Sequence, residues 1–235
     1  MAQVPAGEFW MGCNDAVDNQ CLGDEKPYHK VYLDTFYLDK YDVTVEQYAS
    51  CAQAGKCSSA LTGESCDGGR LGRGNNPINC VDWYQAKAYC EWVGKRLPSE
   101  AEWEKAARGT DGRKYPWGNR EAGCDYAIMW MIGEDEAGCG RRSSWPVGSR
   151  PLGASPYGAM DMAGNVWNWV VDWYDEGYYK KSPDRNPTGP ASGAARVLRG
   201  GSWHYYQSYL RSSARYGYAP FVRSSGVGFR CARTR

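Results

Sequence analysis

Ten cysteines, two histidines and a C-terminal run of tyrosine and serine are the side chains here with chemical potential. Thiolates attack electrophiles and bind soft metals. The cysteines are Cys13, Cys21, Cys51, Cys57, Cys66, Cys80, Cys90, Cys124, Cys139 and Cys231, and none forms a CxxC. That spacing gives little support to a zinc knuckle or a thioredoxin-type pair. An even count points instead to structural disulfides and an oxidising setting. A cell-surface or extracellular location is expected, with a thermophile cytoplasm as the alternative. Cys13 with Cys21 and Cys124 with Cys139 are expected to pair locally. Cys51, Cys57, Cys66 and Cys80 permit three connectivities, of which Cys51–Cys80 around Cys57–Cys66 is preferred. His29 and His204 are too few for His-based zinc sites and make Ser-His-Asp catalysis a poor fit.

The carboxylates suggest less. Glu100, Glu102 and Glu104 open a helical segment, where the dipole favours negative charge, so helix support is expected. Asp172 and Asp175 have no evident partner, and a solvated face is the default. Asp15, Asp18 and Asp24 lie in a polar loop without the EF-hand register, so a solvated loop is expected rather than a calcium site.

The elements that position these groups are short. Residues 3–12 read as a strand with a Gly-containing turn, and 31–39 as a strand alternating apolar and polar. Thr44 and Gln47 form a capping box for a helix to about Gln53. Asp82 caps a second helix that Gly94 ends. Ser99 and Glu102 box a third that Gly109 ends. Residues 165–174, 196–203 and 227–233 read as strands, separated by Gly- and Ser-rich loops. Helices first and strands later indicate an α+β fold rather than a parallel βαβ array. No repeat or linker appears, so residues 1–235 read as one domain.

The 235 residues carry a net charge of +1 and a mean hydropathy of −0.67. Wholesale phosphate neutralisation needs a clear basic excess, so nucleic acid is excluded as a partner. No run approaches a membrane span. MAQVPAGEFW has no basic n-region followed by an apolar stretch, so no secretory signal is expected.

Six segments resemble one family in order: VPAGEFWMG, FYLDKYDVTVEQY, VDWYQAKAYCEWVGKRLPSEAEWEKAARG, YPWGN, SPYGAMDMAGNVWNWV and VLRGGSW…VGFRCAR. They look like the domain of formylglycine-generating enzymes, or sulfatase-modifying factors, a variant of the C-type lectin fold. The resemblance implies short antiparallel strands, long loops and a disulfide-braced frame. It also implies two copper-binding catalytic cysteines in a GGS-x-x-C-x-x-x-x-C pattern. Here those positions are Tyr205 and Leu210, so enzymatic activity is not expected. The family's pairing of its GFRC cysteine implies Cys90–Cys231. Its calcium site near GNVWEW falls on Asn165, the Val166 carbonyl and Asn168, with Asn168 replacing a Glu. Weakened calcium binding is implied, with backbone hydrogen bonding as the equal alternative. No cofactor is required.

Residues 204–226 contain five Tyr and five Ser, while residues 200–235 have six Arg and no Asp, Glu, Lys or Asn. Dense Tyr and Ser with Gly is a paratope-like composition. The segment resembles the variable proteins of diversity-generating retroelements, where adenine-directed mutagenesis changes chosen codons. From an AAC codon, adenine changes reach the residues at His204, Tyr205, Tyr206, Ser208, Tyr209, Tyr216, Tyr218, Phe221, Val222, Ser224 and Ser225. Gln207 does not fit. The bland alternative makes these tyrosines core or surface fillers, and Trp203 is assigned to the frame. Arg211, Arg215 and Arg223 are expected to make structural hydrogen bonds. The resulting expectation is a monomeric, non-enzymatic binder of a macromolecule, protein or surface glycan. The rivals are a formylglycine-generating oxidoreductase and a pseudo-enzyme with one fixed partner.

Overall fold

Local capping signals place all three helices. In a computed structural model, which describes residues 1–63, 65–131, 133 and 137–234, they are α1 (Val45–Gln53), α2 (Trp83–Trp92) and α3 (Glu100–Arg108). Thr44 with Gln47, Asp82 with Gln85, and Ser99 with Glu102 each form a reciprocal box, satisfying two backbone donors per helix start.

The strands are β1 (Ala2–Val4), β2 (Gly7–Met11), β3 (His29–Leu33), β4 (Phe36–Leu38), β5 (Trp167–Trp173), β6 (Arg196–Arg199), β7 (Arg215–Tyr218), β8 (Val227–Gly228) and β9 (Ala232–Thr234). They form sheets β1-β4-β9, β2-β3 and β7-β6-β5-β8. The expected strand over 31–39 is two strands in different sheets. The chain is turned between them where Asn186 accepts the Asp34 N–H and donates to its carboxylate. The strand expected to reach 203 stops at Arg199, because Gly200 and Gly201 adopt positive φ. One pairing departs from the antiparallel expectation. β5 and β8 run parallel, setting Trp167 against Val227.

Two large apolar clusters fill the interior. One packs Trp103 of α3 under the two small sheets, and the other packs Trp167 and Trp169 against α1 and α2. Five disulfides brace the loops, a bonding pattern that persists in oxidising surroundings. Cys13–Cys21, Cys124–Cys139 and Cys90–Cys231 pair as expected. The nested pairing is corrected: Cys51 bonds Cys57, and Cys66 bonds Cys80. Past α1, Gly55 at φ 67° turns the chain back so that the Cys57 N–H reaches the Cys51 carbonyl. Asn79 accepts the Asp67 N–H at 2.7 Å, which brings Cys66 beside Cys80. Among the described residues, no helix is long and apolar enough to cross a membrane.

Candidate ligand-binding face

The segment after β6 is built on a buried frame. Gly201 sits at φ 74°, and a Cβ there would lie 2.7 Å from Leu210. Leu210 is fully buried with Tyr115 and Met129, so a core methyl group occupies the family's second thiolate position. Arg211 pairs with Glu25 and Asp18, and Arg215 makes a bidentate pair with Glu100 at 2.7 Å. Arg199 pairs with Glu104, and Arg230 with Asp42 at 2.8 Å. Arg223 binds Asp82. Arg211, Arg215 and Arg223 thus make structural bonds, as expected.

The acidic expectations need correction. Asp18 and Asp172 are buried rather than solvated, and Glu100 and Glu104, expected only to support the helix dipole, are buried as well. Glu100 and Glu104 hold arginines, Asp18 holds Arg211, and Asp172 accepts the Glu100 N–H at the start of α3. Asp175 keeps its surface role, pairing with Lys181. Burial alone would raise the Glu100 pKa, but Arg215 and Arg199 hold it below the usual value.

All eleven candidate positions, His204, Tyr205, Tyr206, Ser208, Tyr209, Tyr216, Tyr218, Phe221, Val222, Ser224 and Ser225, are half-buried or exposed. Residues 210–215, 220 and 226–232 between and after them are buried. On β7 this is strand alternation, with Arg215 inward and Tyr216 outward. Backbone bonds to distant loops fix the path. The Tyr205 carbonyl accepts from Trp130, Pro220 from Trp83, Ser224 from Cys80 and Ser225 from Asn79. These bonds are made by backbone carbonyls, not by the side chains displayed.

Trp167 is the floor. Its ring lies 5.5 Å from Tyr205, 6.3 Å from Tyr209 and 6.0 Å from Tyr216. Tyr216 meets Tyr218 edge-on at 5.6 Å. His204 sits between Trp203 and Tyr205, and burial lowers its pKa, favouring the neutral imidazole. Trp203 donates to the Ser225 carbonyl, as a frame residue should. None of the five tyrosine hydroxyls bonds another described side chain or carbonyl. Trp130, stacked on Tyr206 at 4.9 Å, extends the surface. Nothing in its own stretch of sequence marks it, because it reaches the face from a remote loop.

Among the described residues, neither metal nor thiol chemistry finds ready groups. The ten cysteines are all in disulfides. Cys13, Cys21 and Glu25 lie close together, but the sulfurs are bonded to each other and Glu25 to Arg211. At the family's calcium position, Asn165 exchanges two hydrogen bonds with the Trp145 backbone. Asn168 Oδ1 accepts from Trp103 and from the buried Arg230 guanidinium, while its Nδ2 donates to Asp42 and the Val166 carbonyl. A guanidinium donating to the ligand oxygen opposes a divalent cation, so Asn165, Val166 and Asn168 as arranged do not fit calcium.

The profile of the sulfatase-modifying factor enzyme 1-like domain matches residues 1–235. The chain belongs to that family. Within it, the formylglycine-generating enzyme of Streptomyces coelicolor is 37% identical over 284 residues, covering 98% of this chain and 88% of its own. Among solved structures, PvdO from Pseudomonas aeruginosa superimposes with a TM-score of 0.83 at 28% identity, covering 99% of this chain and 93% of its own. Treponema denticola variable protein 1 superimposes with a TM-score of 0.79 at 28% identity, over 100% of this chain and 95% of its own. The fold is thus α+β and C-type-lectin-like, and proteins similar to the chain include both a formylglycine-generating enzyme and a variable protein.

Proposed function

We propose that this chain is a non-enzymatic binding protein, of the kind diversified by retroelements, whose Tyr- and Ser-rich face recognises a macromolecular ligand. The observation that carries the reading is the separation within residues 204–226. Eleven positions reach the surface, while residues 210–215, 220 and 226 between and beside them are buried and hold the backbone. Tyrosine gives a large contact area at low entropy cost, and a disulfide-braced frame limits the ordering cost of binding. The five disulfides agree with a cell-surface or extracellular site of action.

The test is panning of a random-sequence peptide display library on the immobilised chain. Peptides retained by the native chain should lose at least about tenfold in affinity on Tyr209→Ser/Tyr216→Ser/Phe221→Ser, which removes three exposed anchors. Retention unchanged by that triple substitution rejects the face.

The 37% identity to a formylglycine-generating enzyme favours the rival oxidoreductase reading. Against it stand Tyr205 and Leu210 at the thiolate positions and the oxidised state of every cysteine. Stoichiometric copper binding with conversion of a cysteine peptide would establish that rival.

A further inference from the structure

Beside Tyr209 and Tyr216, two clefts open against parts of the chain far from residues 204–226. The larger, about 690 Å³, is lined by Leu22, Asp24, Tyr174 and Glu176 together with Tyr209 and Tyr216. The smaller, about 390 Å³, shares Leu22, Tyr209 and Arg215 and is lined also by Glu25 and Arg211. Leu22 is 52% exposed, an apolar side chain left in solvent beside two exposed phenol rings.

The charges here differ from those of the face. Arg215 is fully engaged: Glu100 takes its Nε and Nη2, and the Asp24 and Asp175 carbonyls take its Nη1. Arg211 is shared between two buried carboxylates, Asp18 and Glu25. The Tyr174 hydroxyl donates to Asp24 at 2.7 Å, and burial together with that bond raises its pKa, keeping it a neutral donor. Glu176 is exposed, and Lys180 is the ammonium on the rim. In the larger cleft, with Arg215 set aside in its pair with Glu100, Asp24 and Glu176 stand against Lys180, a local charge of −1. Residues 204–226 contribute no carboxylate at all.

Ring faces attract cations, and a carboxylate beside them adds a charge-assisted hydrogen bond. An anion would meet the negative excess, and a neutral sugar would leave it unused. Resting on the binding reading above, we infer that the larger cleft is a subsite for a cationic side chain, arginine above all, of a protein ligand. A planar guanidinium stacks on Tyr209 or Tyr216 while its edge donates to Glu176, a combination that the compact ammonium of lysine matches poorly. The carboxylates belong to the fixed part of the chain. The subsite therefore supplies a constant electrostatic contact beside a face made of neutral groups.

The test titrates N-acetyl-arginine amide, its uncharged isostere N-acetyl-citrulline amide and methyl galactoside into the full chain. Resonances of the Leu22 methyls and the Tyr209 and Tyr216 rings report binding. The arginine probe should shift them and bind at least about fivefold tighter than citrulline, the scale of one exposed cation–π contact with a carboxylate partner. Asp24→Asn/Glu176→Gln should erase that preference. Equal affinities, preference for the sugar or absence of shifts overturns the subsite. The citrulline comparison needs no variant, so misfolding of the double substitution leaves the test intact. An arginine response that fails while the triple substitution still weakens peptide binding removes the subsite alone. Peptide binding unchanged by that substitution, with the arginine response intact, removes the face alone.

Discussion

Between Arg199 and Arg230 one stretch of chain holds two populations of side chain. The arginines at 199, 211, 215 and 230 are buried in pairs with carboxylates from residues 18 to 104. The tyrosines at 205, 206, 209, 216 and 218 lie at the surface, and their hydroxyls bond no other described residue. The first population ties the segment to the rest of the molecule, and the second carries little of the fold. Both occupy the same loops, so exposure of alternate positions is enough to separate architecture from recognition.

The contrast is most strongly probed at Glu100. Glu100→Gln leaves Arg215 buried without its counter-charge, which should cost about 3–5 kcal/mol. For a chain of this size that lowers the melting temperature by about 10 °C. The pH dependence gives a second readout. The folded-state pKa of Glu100 lies below its unfolded value, so its contribution is complete above that unfolded value and drains away as pH falls through the folded one. Thermal melts from neutral to acid pH should show this acid limb in the native chain and a shallower one in Glu100→Gln. A variant as stable as the native chain at neutral pH would dissolve the distinction.

Tyr205 is the intermediate case. It is half-buried against Trp167 and the apolar cluster beneath, so Tyr205→Ala should cost about 1–2 kcal/mol by lost area. Denaturant titration measures this, and a cost as large as that of Glu100→Gln would place Tyr205 among the structural residues. The smallest effect is expected at Tyr209, Tyr216 and Phe221, which are 36%, 39% and 72% exposed. Serine at each should change stability by no more than about 0.5 kcal/mol. A clear fall in the denaturation midpoint for any of the three would erase the line between the two populations.

The sequence reveals what is local. Capping pairs three residues apart place α1, α2 and α3, and the alternation over 165–174 places β5, whereas β7 lies in a segment that reads as irregular. The face is legible because composition changes abruptly at His204 while RGGSW and VGFRC bracket it. Long-range pairing is not legible. Arg211 meets Asp18 across 193 residues, and nothing near either residue announces the other. The same blindness made Asp18 and Asp172 look solvated. The pairing of Cys51, Cys57, Cys66 and Cys80 turned on a glycine-directed reversal that spacing does not encode. Trp130, Leu22 and Asp24 join the face or its border from loops whose own composition is ordinary.

The pairing of Arg211, Arg215 and Arg223 has a kinetic consequence. With those charges neutralised by partners, the tyrosine surface projects almost no field into solvent. A target meets it by unguided diffusion, so association on that side proceeds at the modest pace of uncharged protein pairs. Tight recognition there must come from long residence once the rings have closed on their target.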